Sequence, residues 1–165
     1  MSSIHIRPAT AADSELIYRF VHDLATYERA PQEVTTSPAE LREALFGPTA
    51  RGAEAVICEI GGQAVGFALY FYNFSTWLGK YGIYLEDLYV DPEFRGHGAG
   101  KALLRYVAQK AVAEGCGRYE WSVLDWNTPS IRFYEACGAT AMSEWVGYRL
   151  SGEALRRFAE DGESR

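Results

Sequence analysis

Tyr89-Val90-Asp91-Pro92-Glu93-Phe94-Arg95-Gly96-His97-Gly98-Ala99-Gly100-Lys101 is the stretch on which the fold turns. An apolar run stops at Asp91-Pro92 and helical spacing begins after Gly98, so a strand ends, a turn follows and a glycine-rich loop opens a long helix. Three glycines in five positions let the backbone approach a ligand and turn several N–H groups inward, and the helix N-terminus adds about half a positive charge. Arg95 and Lys101 supply full cations on either side. A pyrophosphate would be held here. The Walker pattern fails because Arg95 stands at its first glycine and Ala102 replaces its magnesium-binding hydroxyl. The dinucleotide pattern GxGxxG, started at Gly96, meets Lys101 where its third glycine belongs. The alternative to a phosphate cradle is a glycine-rich turn that packs without a ligand.

Outward from this loop, Lys80 to Val90 reads as a strand, with Ala53 to Ile60 and Ala64 to Phe74 before it, the latter two joined at the hairpin signal Gly61-Gly62. Together they read as an antiparallel meander. Gly98 to Glu114 carries Leu103, Val107 and Ala111 on one line and Leu104, Ala108 and Val112 beside it, with Gly115 as C-cap. Arg118 to Leu124 is the next strand, and the strand–helix–strand crossover over 83–124 requires its two strands to be parallel. At the N-terminal end Ile4 to Arg7 alternates like a strand. Asp13 to Glu28 spaces Leu16, Ile17, Phe20, Val21, Leu24 and Tyr27 as one helical stripe. Ser37-Pro38 with Glu40 opens a short helix through Phe46. Thr128-Pro129 starts another that ends near Gly138. A strand around Val146 to Leu150 and a polar C-terminal helix close the chain. The class is α+β, as a single domain over residues 1–165.

Composition sets the outer limits. Sixteen Lys and Arg against 22 Asp and Glu leave a net charge of −6, which disfavours nucleic acid and anionic membrane and favours cationic small molecules. Cys58, Cys116 and Cys137 show no CxxC spacing, so they read as structural or idle thiols in a reducing compartment, with Cys58 a small core residue. His5 and His22 have no partners in sequence that would make a metal site. Without a secretory signal or an apolar run of about 18 residues, a cytoplasmic protein is expected.

The hexapeptide Arg95-Gly96-His97-Gly98-Ala99-Gly100 fits Arg-x-x-Gly-x-Gly and resembles the coenzyme A pyrophosphate loop of the GNAT superfamily of N-acetyltransferases. Ile6-Arg7-Pro8-Ala9-Thr10, Tyr27-Glu28, Trp77-Leu78-Gly79-Lys80, Tyr84 to Val90, Trp126-Asn127-x-Pro129-Ser130-Ile131-x-Phe133-Tyr134 and Gly138-Ala139 extend the resemblance over nearly the whole chain. They look like the diamine acetyltransferase branch, which includes spermidine/spermine and thialysine N-acetyltransferases. The resemblance implies a mixed, mostly antiparallel twisted sheet flanked by helices, with two strands splayed into a V. It also implies acetyl-CoA as co-substrate, no metal, and a homodimer. The coenzyme would lie along Leu88, Tyr89 and Val90, against the loop residues Arg95, Gly96, His97, Gly98, Ala99, Gly100 and Lys101, with Asn127, Thr128, Pro129 and Ser130 on the other side of the V.

Acetyl transfer needs an uncharged amine, a positioned thioester and a proton for the leaving thiolate. Alternation places Tyr84, Glu86, Leu88 and Val90 on one strand face and Leu85, Asp87 and Tyr89 on the other. Glu86 among apolar neighbours should hold its proton more tightly, as a base acting on an alkylammonium of pKa about 10 requires. The resemblance points to the same residue. The alternative is that Glu86 only holds the cationic substrate or pairs with a base. Tyr134 aligns with the family's general acid. Adjacent helical residues point about 100° apart, so Phe133 enters the core while Tyr134 faces the cleft. For the amine, the resemblance indicates Tyr27, Glu28, Glu86, Glu120, Trp121 and Ser122. One departure stands out: polyamine-acetylating members carry an acid directly before a Gly-aromatic-Arg triplet, where this chain has Val146 before Gly147-Tyr148-Arg149, with Glu144 the nearest acid. That puts spermidine and spermine in doubt and leaves a shorter diamine, a lysine analogue or another primary amine. Two other functions fit the same residues: a coenzyme A-binding sensor or partner module, and a protein N-acetyltransferase.

Overall fold

The computed structural model describes residues 2–160. The chain forms two compact units, one running through Leu124 and the other starting at Asp125.

The first unit is a five-stranded sheet in the order β1-β2-β3-β4-β5, made of β1 (Ile4–Pro8), β2 (Glu54–Ile60), β3 (Gln63–Ser75), β4 (Lys80–Val90) and β5 (Tyr119–Trp121). The first four strands are antiparallel neighbours, and β5 joins β4 in parallel. Helix α3 (Ala99–Ala113) supplies the crossover that parallel pairing demands. α1 (Ser14–Tyr27) and α2 (Pro38–Phe46) precede β2. Expected and observed limits of β2, β3 and β4 agree within a residue.

Local sequence explains the anchoring. At the start of α1, Thr10 and Asp13 form a capping box, and Arg7 pairs with Asp13 at 2.9 Å and with Glu59 at 2.8 Å, tying β1, β2 and the helix entry together. Ser37 accepts the Glu40 N–H and Pro38 occupies the first position of α2. Ile17 and Phe20 are fully buried against Ile57, Phe67 and Tyr89, with the Phe20 and Phe67 rings stacked at 5.5 Å. Cys58 is buried, and burial, with Glu59 adding to it, pushes its thiol up to about 11, as suits a small core residue. On the other sheet face, Leu103, Val107 and Ala111 of α3 are buried. Val112, expected beside that stripe, is 79% exposed, because it lies at the solvent edge of the helix.

β5 covers only Tyr119–Trp121 rather than 118–124. Its ladder with β4 ends at Leu85↔Trp121, although β4 continues to Val90 on its β3 side. The two strands therefore part after Leu85, which is the expected V.

In the second unit, α4 (Thr128–Ala136) and α5 (Gly152–Glu160) are the regular elements among the described residues. The strand expected around 146–150 is absent: these residues have no ladder partner, and a strand exists only where its N–H and C=O groups are paired. Val146 and Tyr148 are 75% and 97% exposed.

β3 leaves no room for a side chain at Gly66, where a Cβ would lie 2.5 Å from the Tyr89 carbonyl oxygen and 3.2 Å from the Val90 Cα of β4. Backbone on both sides cannot yield. Gly66→Ala is expected to cost about 1–3 kcal/mol in urea denaturation. A variant as stable as the parent would show that the end of β4 can shift to make room.

Candidate functional site

The site is organised by a break in β4. Leu69 pairs with Asp87 and Tyr70 with Leu85, so Glu86 is an extra residue with no partner on β3, a β-bulge. Paired residues share a sheet face. Asp87 thus joins Leu69 on the face that packs against α1, whereas Leu85, two residues away, lies on the α3 face with Tyr70. Tyr84, opposite Phe71 with ring centroids 5.2 Å apart, lies on Asp87's side. Simple alternation along β4 is therefore wrong across 84–87. Glu86 is also exposed rather than set among apolar groups.

The carboxyl that takes up the property expected of Glu86 is its neighbour. Burial pushes Asp87 up to about 7, with Glu86 and Glu28 adding repulsion. Glu28, the C-cap of α1, is raised by burial and then by Glu86. Three carboxyl groups from two elements thus converge at the end of α1, and a cation placed among them relieves their repulsion. Asp87 was missed from sequence. The available signal was the Glu86-Asp87 pair itself: two adjacent acids in an apolar strand direct one carboxylate into each face unless the backbone bulges.

Around this cluster the expected substrate residues are distributed as follows. Tyr27 is 38% exposed at the last turn of α1. Glu120 and Trp121 are half-buried on β5, and Ser122, just beyond it, shares a 2.7 Å hydrogen bond with the Tyr84 hydroxyl. That bond ties β4 to the residue that follows β5.

Further along β4, Leu88 is half-buried and Tyr89 and Val90 are buried. Residues 87–90 pair with β3 alone among the strands. The loop then turns through a short 3-10 segment, Pro92–Phe94, and reaches α3 with Gly96 at φ +81° and Gly98, the helix N-cap, at φ +86°. Both are left-handed values that direct successive N–H groups to one side. The first hydrogen bond of α3 runs from the Ala102 N–H to the Gly98 carbonyl at 2.9 Å, so the amides of Ala99, Gly100 and Lys101 precede it. His97 folds its ring back, with Nδ1 at 3.1 Å from the Arg95 carbonyl oxygen and 3.2 Å from that of Phe94. Lys101 is exposed. The Arg95 guanidinium turns away from the loop: its Nε donates to the Val90 carbonyl at 2.9 Å. The cradle of amides and uncovered glycines fits an anionic diphosphate group.

In the second unit, the Asn127 side chain caps α4 by accepting the Ser130 N–H at 3.4 Å, Pro129 lies in the first turn, and Thr128 is exposed. Phe133, expected in the core, is half-buried, and its ring centroid lies 5.5 Å from that of Tyr134.

The acetyltransferase (GNAT) family pattern matches residues 17–139. This chain belongs to that family. Within it, the chain is 37% identical to a thialysine N-epsilon-acetyltransferase of Sus scrofa, over 96% of this chain and 99% of that protein. It is 47% identical over 91 residues to an L-ornithine N5-acetyltransferase of Arabidopsis thaliana, spanning 55% of this chain and 40% of that protein. In structure, the GNAT fold extends to an integron cassette protein of V. cholerae with a TM-score of 0.79, covering 97% of this chain and 99% of that one at 24% identity. Members of the family use acetyl-CoA.

Burial of Asp87 has a measurable consequence. Its folded-state pKa near 7 lies above the ordinary 3.8. Between those values the folded protein keeps a proton that the unfolded chain releases, so stability falls as pH rises through that window and stays lowered above it. Asp87→Asn should therefore be more stable than the parent by about 1–3 kcal/mol at pH 8, with the difference shrinking towards zero near pH 4. Equal differences at both pH values in urea denaturation would dismiss the buried charge as the cause.

Proposed function

We propose that this GNAT enzyme transfers the acetyl group of acetyl-CoA to the distal primary amine of a small cationic substrate of the lysine-analogue or ornithine type. One observation carries this reading: the Glu28, Glu86 and Asp87 carboxyl groups converge at the α1–β4 junction, on the strand whose far end opens the amide cradle. Two of the relatives are named for acetylating an amino-acid side-chain amine, thialysine and ornithine, while another is spermidine/spermine N(1)-acetyltransferase-like, and Val146 in place of an acid argues against longer polyamines. The domain is taken as residues 1–165, a reading supported by a family match that crosses the boundary between the two units.

In this reading the N–H groups of Arg95 to Lys101 and the Lys101 ammonium hold the diphosphate, and Leu88, Tyr89 and Val90 lie along the pantetheine arm. Asn127, Thr128, Pro129 and Ser130 are further coenzyme contacts. Tyr27, Glu28, Glu120, Trp121 and Ser122 receive the amine, the aromatic rings offering their faces to its charge. Glu86 removes the ammonium proton, directly or through water, with Glu28 and Asp87 beside it. The freed nitrogen attacks the thioester carbon, the carbon–sulfur bond breaks, and Tyr134 protonates the departing thiolate.

A homodimer is part of the proposal. Met142, Trp145, Val146, Tyr148 and Leu150 are exposed apolar side chains close together in sequence, of the kind that a partner surface can cover. Cytoplasmic location is supported by the free thiols of Cys58, Cys116 and Cys137.

Purified protein incubated with acetyl-CoA and a panel of amines, with release of free thiol followed, tests the reading. Turnover is expected with thialysine, ornithine or lysine and is expected to be weaker with spermidine. Coenzyme binding without turnover on any amine would reduce the protein to a binding module, and turnover only on peptides would redirect it to protein acetylation.

Two substitutions test the assigned roles. Tyr134→Phe should lower kcat on the order of 10²-fold or more while the KM for acetyl-CoA changes less than about threefold. Glu86→Gln should lower kcat at pH 7 and regain part of it at higher pH, where more amine is uncharged. An unchanged kcat in either variant removes that residue from the chemistry.

A further inference from the structure

The Arg95 side chain is built into the junction between the cradle and α1. Its Nε donates to the Val90 carbonyl at 2.9 Å, and its guanidinium carbon lies 5.3 Å from the centre of the Tyr27 ring and 5.7 Å from that of Tyr89. Tyr89 is buried. The cation thus lies against one fixed ring of β4 and one ring of the helix end that carries Glu28. A second tether runs alongside, with Arg19 of α1 at 3.5 Å from Asp91, the residue after β4. Both contacts join α1 to the few residues between β4 and the loop.

A guanidinium is planar, and one face and one N–H can be committed in this way at the same time. Lysine keeps the charge but has neither the plane nor the Nε donor. An arginine serving the diphosphate would instead direct its donors into the loop. Resting on the acetyl-transfer reading above, we infer that Arg95 is a positioning residue for the amine, fixing Tyr27 and Glu28 at the end of α1, while the loop's backbone amides and Lys101 hold the diphosphate. Arg95 sits in the coenzyme motif by sequence and acts on the amine side by structure. The segment that receives the coenzyme is thereby mechanically joined to the helix end that receives the amine.

The test is a split in binding constants. In Arg95→Lys, the Kd for acetyl-CoA by calorimetry should stay within about threefold of the parent, while the KM for the best amine of the panel rises about tenfold or more. Tyr27→Leu should reproduce the amine defect. The Arg95→Lys/Tyr27→Leu double variant should be no worse than Tyr27→Leu alone, because both changes break one contact. Acetyl-CoA binding by each variant also reports that its fold is intact. A tenfold loss of acetyl-CoA affinity in Arg95→Lys with the amine KM unchanged would make Arg95 a diphosphate ligand. Unchanged constants, or additive defects in the double variant, would equally overturn the assignment. If the parent protein itself neither binds acetyl-CoA nor acetylates any amine, the failure lies in the acetyl-transfer reading and not in the role of Arg95.

Discussion

One extra residue in β4 does work that an uninterrupted strand could not. From Ile83 to Leu85, just before Glu86, β4 pairs on both sides. After Glu86 it pairs with β3 alone, and its β5-facing edge is free of strand partners. The bulge lets Asp87 share the α1 face with Leu69, and it follows directly on Leu85, where the parallel ladder with β5 stops. A rigid, well-paired scaffold is thereby converted within one residue into an open edge. Backbone amides on such an edge are already fixed in direction, so an extended amide-bearing ligand can pair with them at little further ordering cost.

β4 also acts as a ruler. From Glu86 to Val90 an extended strand rises about 13 Å, and the cradle begins a few residues later. The carboxyl cluster and the amides proposed to hold the diphosphate therefore stand at the two ends of one stiff element. Phe20, Phe67 and Tyr89 hold that element against α1, and Gly66 lets β3 approach it closely. Packing far from any reacting atom thus controls the separation on which transfer depends.

How much of this was legible in the sequence follows from the range of each interaction. Glycine spacing, the Asp91-Pro92 stop and helical periodicity are local, and they placed β2, β3, β4 and α3 closely. The Arg95 to Gly100 motif likewise marked the loop whose glycines take left-handed values before α3. Faces across the bulge were not legible, because they depend on where β3 slips by one residue against β4, which is a property of two strands. The side-chain direction of Arg95 depends in the same way on Tyr27, far away in sequence. Val146 to Leu150 carries good strand residues but remains unpaired, since strand propensity needs a ladder to act on. The role proposed for Tyr134 comes only from the resemblance: nothing in its helical spacing distinguishes a proton donor from a packing tyrosine.

The carboxyl cluster raises a conflict that the fold itself resolves. Negative charges near an alkylammonium hold its proton, by roughly 1–3 pKa units for a close pair, and so oppose the deprotonation that attack requires. Three fully ionised carboxylates would bind the substrate well and acetylate it poorly. Burial works in the other direction: with Asp87 pushed up to about 7 and Glu28 also raised, the cluster holds part of a proton at neutral pH before any substrate arrives. Its charge is then lower than the residue count suggests, and exposed Glu86, the proposed base, lies beside it. A site of this kind recognises a cation without locking it in the charged form, which is the balance an amine-acetylating enzyme has to strike.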